Sequence, residues 1–160
     1  MFTSITYLQS GNEKQQKVYD VLNKLNIMED LALYSPVLCG TIPIRIDTLQ
    51  SDLDIVMEVH NFDVFEQEMR SLYGSYEGFR IKKKKIKNTE SIKVNFEFEG
   101  FEFELFAQPK PVRNQNAYRH IILRLKENGL KTEPAFAQVL NINGDPYEAL
   151  ILLGQEMRLW

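Results

Sequence analysis

Apolar residues recur at helical spacing early in the chain. Val18, Val21, Leu22 and Leu25 form one stripe, with Glu13 and Lys14 near its start. That spacing predicts a helix over Gln16 to Leu33. Val37-Leu38-Cys39 is a short apolar run ended by Gly40, which reads as a strand leading into a turn. The period then changes. From Asp52 to Val59 the residues alternate: Leu53, Ile55, Met57 and Val59 point one way, and Asp52, Asp54, Val56 and Glu58 the other. Asn61 is placed to cap a helix through about Leu72, with Phe62, Phe65, Met69 and Leu72 on its buried side.

A β region follows. Phe79 to Ile86 is a candidate strand whose middle is lysine, and Ile92 to Phe98 alternates with Ile92, Val94, Phe96 and Phe98 on one face. Glu99-Gly100 reads as a tight hairpin turn. From Phe101 to Ala107, Phe101, Phe103 and Leu105 face one way and Glu102, Glu104 and Phe106 the other. After Pro109 and Pro111 the pattern is helical: Asn116 to Lys126, a second helix capped by Thr132, and a third capped by Asp145 with Pro146 at its first position. This order predicts an α+β fold, a small mixed sheet with flanking helices and extra C-terminal helices. The 160 residues carry no repeat or linker, so one domain is expected over 1–160, with a core at about 37–107 and C-terminal helices at about 113–156.

Composition narrows the class. Hydrophobic residues at 44% and charged residues at 26% exclude a disordered or collagen-like chain. No apolar run is long enough to span a bilayer, and Met1 to Ser10 lacks the features of a secretory signal, so a soluble, cytoplasmic protein is expected. A single cysteine, Cys39, rules out a disulfide framework, and with only two histidines a structural zinc site is not expected. Nineteen basic and 22 acidic residues leave a net charge of −3, which argues against binding long nucleic acid. The basic residues are nevertheless uneven, with Lys82, Lys83, Lys84, Lys85 and Lys87 together, shortly before Glu97, Glu99, Glu102 and Glu104.

The chemically informative segment runs from Gly40-Thr41 to Ser51-Asp52-Leu53-Asp54-Ile55. A glycine and a hydroxyl residue end one strand, and after ten intervening residues, Ile42 to Ser51, Asp-x-Asp heads another. Period-2 geometry puts the Asp52 and Asp54 carboxylates on one face. Paired hard oxygen donors there suit Mg²⁺, which takes one or two carboxylates plus substrate phosphates. Gly40 lets the backbone approach a phosphate closely, and Thr41 adds a hydroxyl and a backbone N–H.

This pattern resembles the nucleotidyltransferases of the DNA polymerase beta superfamily, whose signature is Gly-[Ser/Thr], a spacer, Asp-x-Asp and a third carboxylate on a later strand. The resemblance calls for an acid inside an apolar strand. Phe103-Glu104-Leu105 supplies one, with Glu102 on the same face as the runner-up. Gly40-Thr41-Ile42-Pro43, Glu104-Leu105-Phe106, Gln115-Asn116-Ala117-Tyr118-Arg119-His120 and Lys131-Thr132-Glu133-Pro134-Ala135-Phe136, taken with the Asp-x-Asp segment, look like a bacterial family of unknown function grouped with these enzymes. Two departures from it stand out: the third acid is Glu where many relatives have Asp, and the stretch from His120 to Lys131 is short.

The resemblance implies transfer of a nucleotidyl group from a nucleoside triphosphate to a hydroxyl acceptor, which is a small molecule, a protein or an RNA end. Asp52, Asp54 and Glu104 would hold Mg²⁺ or Mn²⁺. Gly40, Thr41, Ser51 and Lys131 would contact the nucleotide, Lys131 as a cation beside the helix N-terminus at Thr132. Three carboxylates on one face would repel one another without metal. The rival from another class is a non-catalytic nucleotide-binding or interaction module on the same fold, and a third reading is a purely structural partner. For several residues the plainer reading is preferred. Glu97 and Glu99 suit a solvated hairpin face opposite Lys83 and Lys85. The lysine run suits an edge strand that resists aggregation, with a phosphate or RNA face as the alternative. His120 reads as a surface histidine and Cys39 as a strand residue without a base to activate it. The architectural expectation is that Val37 to Cys39, Leu53 to Val59 and Phe101 to Ala107 are neighbouring strands, since the acids meet only then.

Overall fold

The computed structural model describes residues 5–39 and 53–115. Gly40, Thr41, Ser51, Asp52, His120, Lys131 and the helices expected from Asn116 onward lie outside the described residues. After a 3₁₀ turn at Thr6–Ser10, helix α1 spans Glu13–Leu25 and a single turn, α2, spans Ile27–Asp30. The one long helix expected over Gln16 to Leu33 thus starts earlier and is broken. It starts earlier because Asn12 and Gln15 form a reciprocal cap: the Asn12 side chain accepts from the Gln15 N–H at 2.9 Å, and the Gln15 side chain accepts from the Asn12 N–H at 3.0 Å. It breaks because Asn26 adopts the left-handed region, φ 57°, which asparagine tolerates better than most residues. A further 3₁₀ turn follows at Ala32–Tyr34.

The five strands are β1 Val37–Cys39, β2 Leu53–Glu58, β3 Arg80–Ile86, β4 Thr89–Phe98 and β5 Phe101–Gln108, in the sheet order β1-β2-β5-β4-β3. Only β2 and β5 run parallel; β1–β2, β5–β4 and β4–β3 are antiparallel. The sheet is therefore mixed, the fold is α+β, and the three strands expected to be neighbours are β1, β2 and β5, side by side. Two hairpins build its far half. Both turns place consecutive residues at positive φ, Lys87 (47°) with Asn88 (65°) and Glu99 (51°) with Gly100 (82°), the signature of the twist-matched two-residue turn. The second was legible as Glu99-Gly100. The first lets β4 begin at Thr89, three residues before the apolar alternation at Ile92.

One face of the sheet carries the core. Leu53, Ile55 and Met57 of β2, Ile92, Val94 and Phe96 of β4, and Phe103, Leu105 and Ala107 of β5 pack with Val18, Val21, Leu22 and Leu25 of α1. Helix α3, Phe62–Tyr73, caps with the Asn61 side chain accepting from the Val64 N–H at 3.1 Å and adds Phe65, Met69 and Tyr73 to the core. Leu72, expected on the buried side, is 40% exposed instead, and Tyr73 takes the inward place. Four residues per step from Phe65 through Met69 lead to Tyr73, so the stripe drifts past Leu72. Tyr73, Phe96 and Phe103 stack with centroids 4.8 and 5.0 Å apart, a slab that links α3, β4 and β5. Among the described residues no helix is long and apolar enough to cross a membrane.

Candidate functional site

Alternation puts the opposite set of side chains on the second face of the sheet, away from α1 and α3. Strand register turns this set into rows. Cys39, Asp54, Glu104, Asn95 and Arg80 are successive register partners, one from each of the five strands. Asp54 and Glu104 are thus direct partners in the parallel β2–β5 pair, on strands about 4.8 Å apart. Each is half-buried, and both lie on the face that the sequence pattern assigns them. The next row sets Val56, Phe106, Lys93 and Lys82 side by side.

The two candidate third acids have different surroundings. Glu102 accepts from Arg80 Nη2 at 2.9 Å and from Asn95 Nδ2 at 3.3 Å, so its carboxylate is tied to β3 and β4. Glu104 Oε1 faces Lys93 Nζ at 2.8 Å. Lys93 is one row along the diagonal from Glu104. Sequence alternation marked it as polar, but only the β4–β5 register brings its ammonium to this acid. Lys93 therefore offsets part of the carboxylate repulsion expected of this face. The pairing of the hairpin carboxylates with Lys83 and Lys85 is corrected as well. Lys83 lies on the helix side and bonds Glu66 of α3 at 2.8 Å, with Asp63 at 3.6 Å. Lys85 meets Glu90 at 3.9 Å, and Glu99 meets Lys24 of α1 at 2.8 Å.

The donor set suits a hard divalent cation. Asp54 and Glu104 present carboxylate oxygens from adjacent strands, and the Lys93 contact uses Oε1 of Glu104, leaving Oε2. Among the described residues no group of three His, Cys, Asp or Glu side chains forms a ready metal cage, and Asp52 lies outside them. Beside the acids, a cavity of about 230 Å³ is lined by Lys82, Lys84, Ser91, Lys93, Glu104 and Phe106. Its wall is stiffened by a buried bond from Gln108 Nε2 to Ser91 Oγ at 2.9 Å.

Comparison with solved structures finds the Cid1 poly(U) polymerase with MgGTP bound, at 14% identity over 92% of this chain and 54% of that one, with a TM-score of 0.48. A cytoplasmic RNA terminal U-transferase matches at 15% identity over 85% of this chain and 43% of that one, TM-score 0.45. The GLD-2/RNP-8 complex matches at 16% identity over 88% and 63%, TM-score 0.43. The chain spans about half the length of the first of these structures. No curated protein matches the sequence. A family described as Domain of unknown function (DUF4269) matches residues 20–124 and 121–153, which fits the expected family of unknown function. That match takes in the Asp-x-Asp segment and all of β2 to β5, and the chain belongs to the DUF4269 family.

Proposed function

We propose that this chain is a metal-dependent nucleotidyltransferase of the DNA polymerase beta type, moving a nucleotidyl group from a nucleoside triphosphate to a hydroxyl acceptor. The observation that carries the reading is the direct register of Asp54 with Glu104 in the parallel β2–β5 pair. The Asp-x-Asp motif required a third acid from a distant part of the sequence, and the sheet puts Glu104 beside the motif's second aspartate. Asp52, Asp54 and Glu104 would hold Mg²⁺ or Mn²⁺, which when bound neutralises charge on the phosphate oxygens during displacement. Gly40, Thr41, Ser51 and Lys131 would bind the nucleotide.

The chain's own groups then divide the work. The acceptor hydroxyl oxygen forms a bond to the α-phosphorus while the bond from that phosphorus to the oxygen bridging to the β-phosphate breaks, and pyrophosphate leaves with the electron pair. The hydroxyl proton passes to the Glu104 carboxylate, directly or through water. Lys93 holds that carboxylate at the sheet surface and limits its rotamers.

The test is a screen of the pure protein with each nucleoside triphosphate, Mg²⁺ or Mn²⁺, and hydroxyl acceptors, read as pyrophosphate release. Release that is lost in Asp54→Asn supports the proposal. The Lys93–Glu104 ion pair also suits the non-catalytic module, in which the acid is permanently neutralised. Nucleotide binding without any release would establish that second reading.

A further inference from the structure

The lysine run divides into two sets with different fates. Lys83 and Lys85, on the helix side, are matched by protein carboxylates: Glu66 and Asp63 for the first, Glu90 for the second. Lys82 and Lys84 point to the other face and line the cavity beside Glu104. Among the described residues they have no ion-pair partner. Lys82 is moreover the direct register partner of Lys93 across β3 and β4, and like charges so opposed destabilise a sheet. An edge strand charged only to resist pairing has no need to set these cations around a cavity with an aromatic wall at Phe106. Two lysines without an ion-pair partner, with Lys93 beside them, line a small concave space and suit a phosphate dianion.

We propose that this cavity binds the phosphate of a small phosphomonoester, and that this compound is the hydroxyl acceptor of the reaction. The second half rests on the nucleotidyltransferase reading. Position assigns the role. In the sheet order β1-β2-β5-β4-β3, the cavity lies on β5, β4 and β3. The strand β1, which Gly40 and Thr41 follow in sequence, lies at the opposite end of that order. Glu104, the proposed proton acceptor, itself lines the cavity, so a ligand anchored there by its phosphate brings a hydroxyl to the base. A cavity of about 230 Å³ is large enough for a sugar phosphate, and the net charge of −3 favours a small anion over a polymer.

The experiment is calorimetric titration of the whole chain, without divalent metal, using ribose 5-phosphate and inorganic phosphate. The variants are the double substitution Lys82→Gln with Lys84→Gln, and Lys85→Gln as a control for charge alone. The expected result is binding of ribose 5-phosphate by the parent, weakened at least about tenfold in the double variant, as loss of charge-assisted hydrogen bonds requires. Lys85→Gln should change it by less than about twofold, since an exposed charge outside the cavity contributes little. Absence of binding to either probe, an unchanged double variant, or an equal loss in the control overturns the site. A short oligoribonucleotide that binds more tightly than ribose 5-phosphate through the same lysines overturns the small-molecule assignment. Metal-free ATP that loses as much affinity in the double variant places the donor in the cavity and overturns the acceptor assignment. None of these readouts needs turnover, so anion binding without pyrophosphate release refutes the enzyme and keeps the site, and release unaffected by Lys82 and Lys84 does the reverse.

Discussion

Glu104→Gln separates a carboxylate kept for chemistry from one kept for the fold. The substitution preserves shape and removes one charge. What the fold loses is the ion pair with Lys93 at 2.8 Å, in which both side chains keep access to water. Such a pair is worth roughly 0.2–1 kcal/mol. What the fold gains is relief of like charge, because Asp54 is the direct register partner of Glu104. Opposed like charges on adjacent strands cost a similar amount. The two effects offset each other, and the net change should stay below about 1 kcal/mol, or roughly 2–4 °C in Tm for a chain of this size. Turnover is a different matter. Loss of a general base or a charged group at the reacting centre lowers kcat by about 10²-fold or more. Nucleotide affinity should stay within severalfold, since the proposed donor contacts lie elsewhere.

Glu102→Gln should behave in the opposite way. Its carboxylate receives Arg80 and the buried Asn95, so loss of the charge weakens two hydrogen bonds and costs about 1 kcal/mol. Turnover should be unchanged. The assays are thermal unfolding without metal and pyrophosphate release with it, on both variants. If Glu104→Gln lowers Tm by far more than 4 °C, the acid is structural and the offset argument fails. If Glu102→Gln alone abolishes turnover, the strand is right and the acid is wrong. If neither variant changes a measurable parent turnover, the third-acid assignment is abandoned.

Asp54→Asn should remove most of the thermal shift given by Mg²⁺ with nucleotide, a stabilisation of about 2.7 kcal/mol at a hundredfold excess over Kd; an undiminished shift in the variant would place the metal elsewhere. Phe96→Ala should cost about 3–5 kcal/mol in urea unfolding, because Phe96 is fully buried between Tyr73 and Phe103. Tyr73→Phe in the same slab should be neutral or slightly stabilising, since the Tyr73 hydroxyl is buried without a hydrogen-bond partner among the described residues; a loss above about 1 kcal/mol would reveal a partner. Hydrogen bonds from Lys83 and then Arg70 hold the Glu66 carboxyl below its ordinary range, so its contribution is present above the unfolded-state value and lost as pH falls through the lower, folded-state one. In Lys83→Met the Glu66 titration followed by NMR should move upward, and an unmoved midpoint would disprove the pairing.

The strands were legible wherever one face is buried and the other is not. Leu53 to Val59 and Phe101 to Ala107 alternate with period two, and a one-residue slip of either would bury its acids, so sequence alone sets the face of Asp54 and Glu104. Their adjacency was not contained in either strand. It follows from the parallel pairing of β2 with β5, which the need for a third acid beside Asp54 implies and the sheet order supplies. Single-residue backbone events escaped the pattern. Asn26 breaks the helix within an otherwise continuous apolar stripe, and Lys87-Asn88 turns a hairpin without a glycine. Lys93 escaped for another reason. Its role is a diagonal contact between strands, and periodicity within a strand carries no information about diagonals.

The same register gives the second face of the sheet a polarity. Asp54 and Glu58 on β2 and Glu102 and Glu104 on β5 make one half acidic, while Lys93 on β4 and Arg80, Lys82 and Lys84 on β3 make the other half mainly basic, with Glu97 on β4 as an exception opposite Glu102. Two contacts join the halves, Arg80 with Glu102 and Lys93 with Glu104, while Lys82 and Lys84 have no ion-pair partner among the described residues. Leaving those two cations unmatched gives folding no Coulomb benefit. The proposed reaction, between a triphosphate and a phosphorylated acceptor, gives them a role. The acidic half suits a cation that accompanies the triphosphate, and the basic half offsets the repulsion that the second anion meets on approach. The boundary between the halves is the contact of Glu104 with Lys93, where the proposed base meets the cavity. Reversing the polarity of that boundary, with Lys93→Glu, should therefore weaken acceptor-side phosphate binding and leave the core intact; if calorimetry shows phosphate affinity unchanged in that variant, the separation of charge has no part in binding.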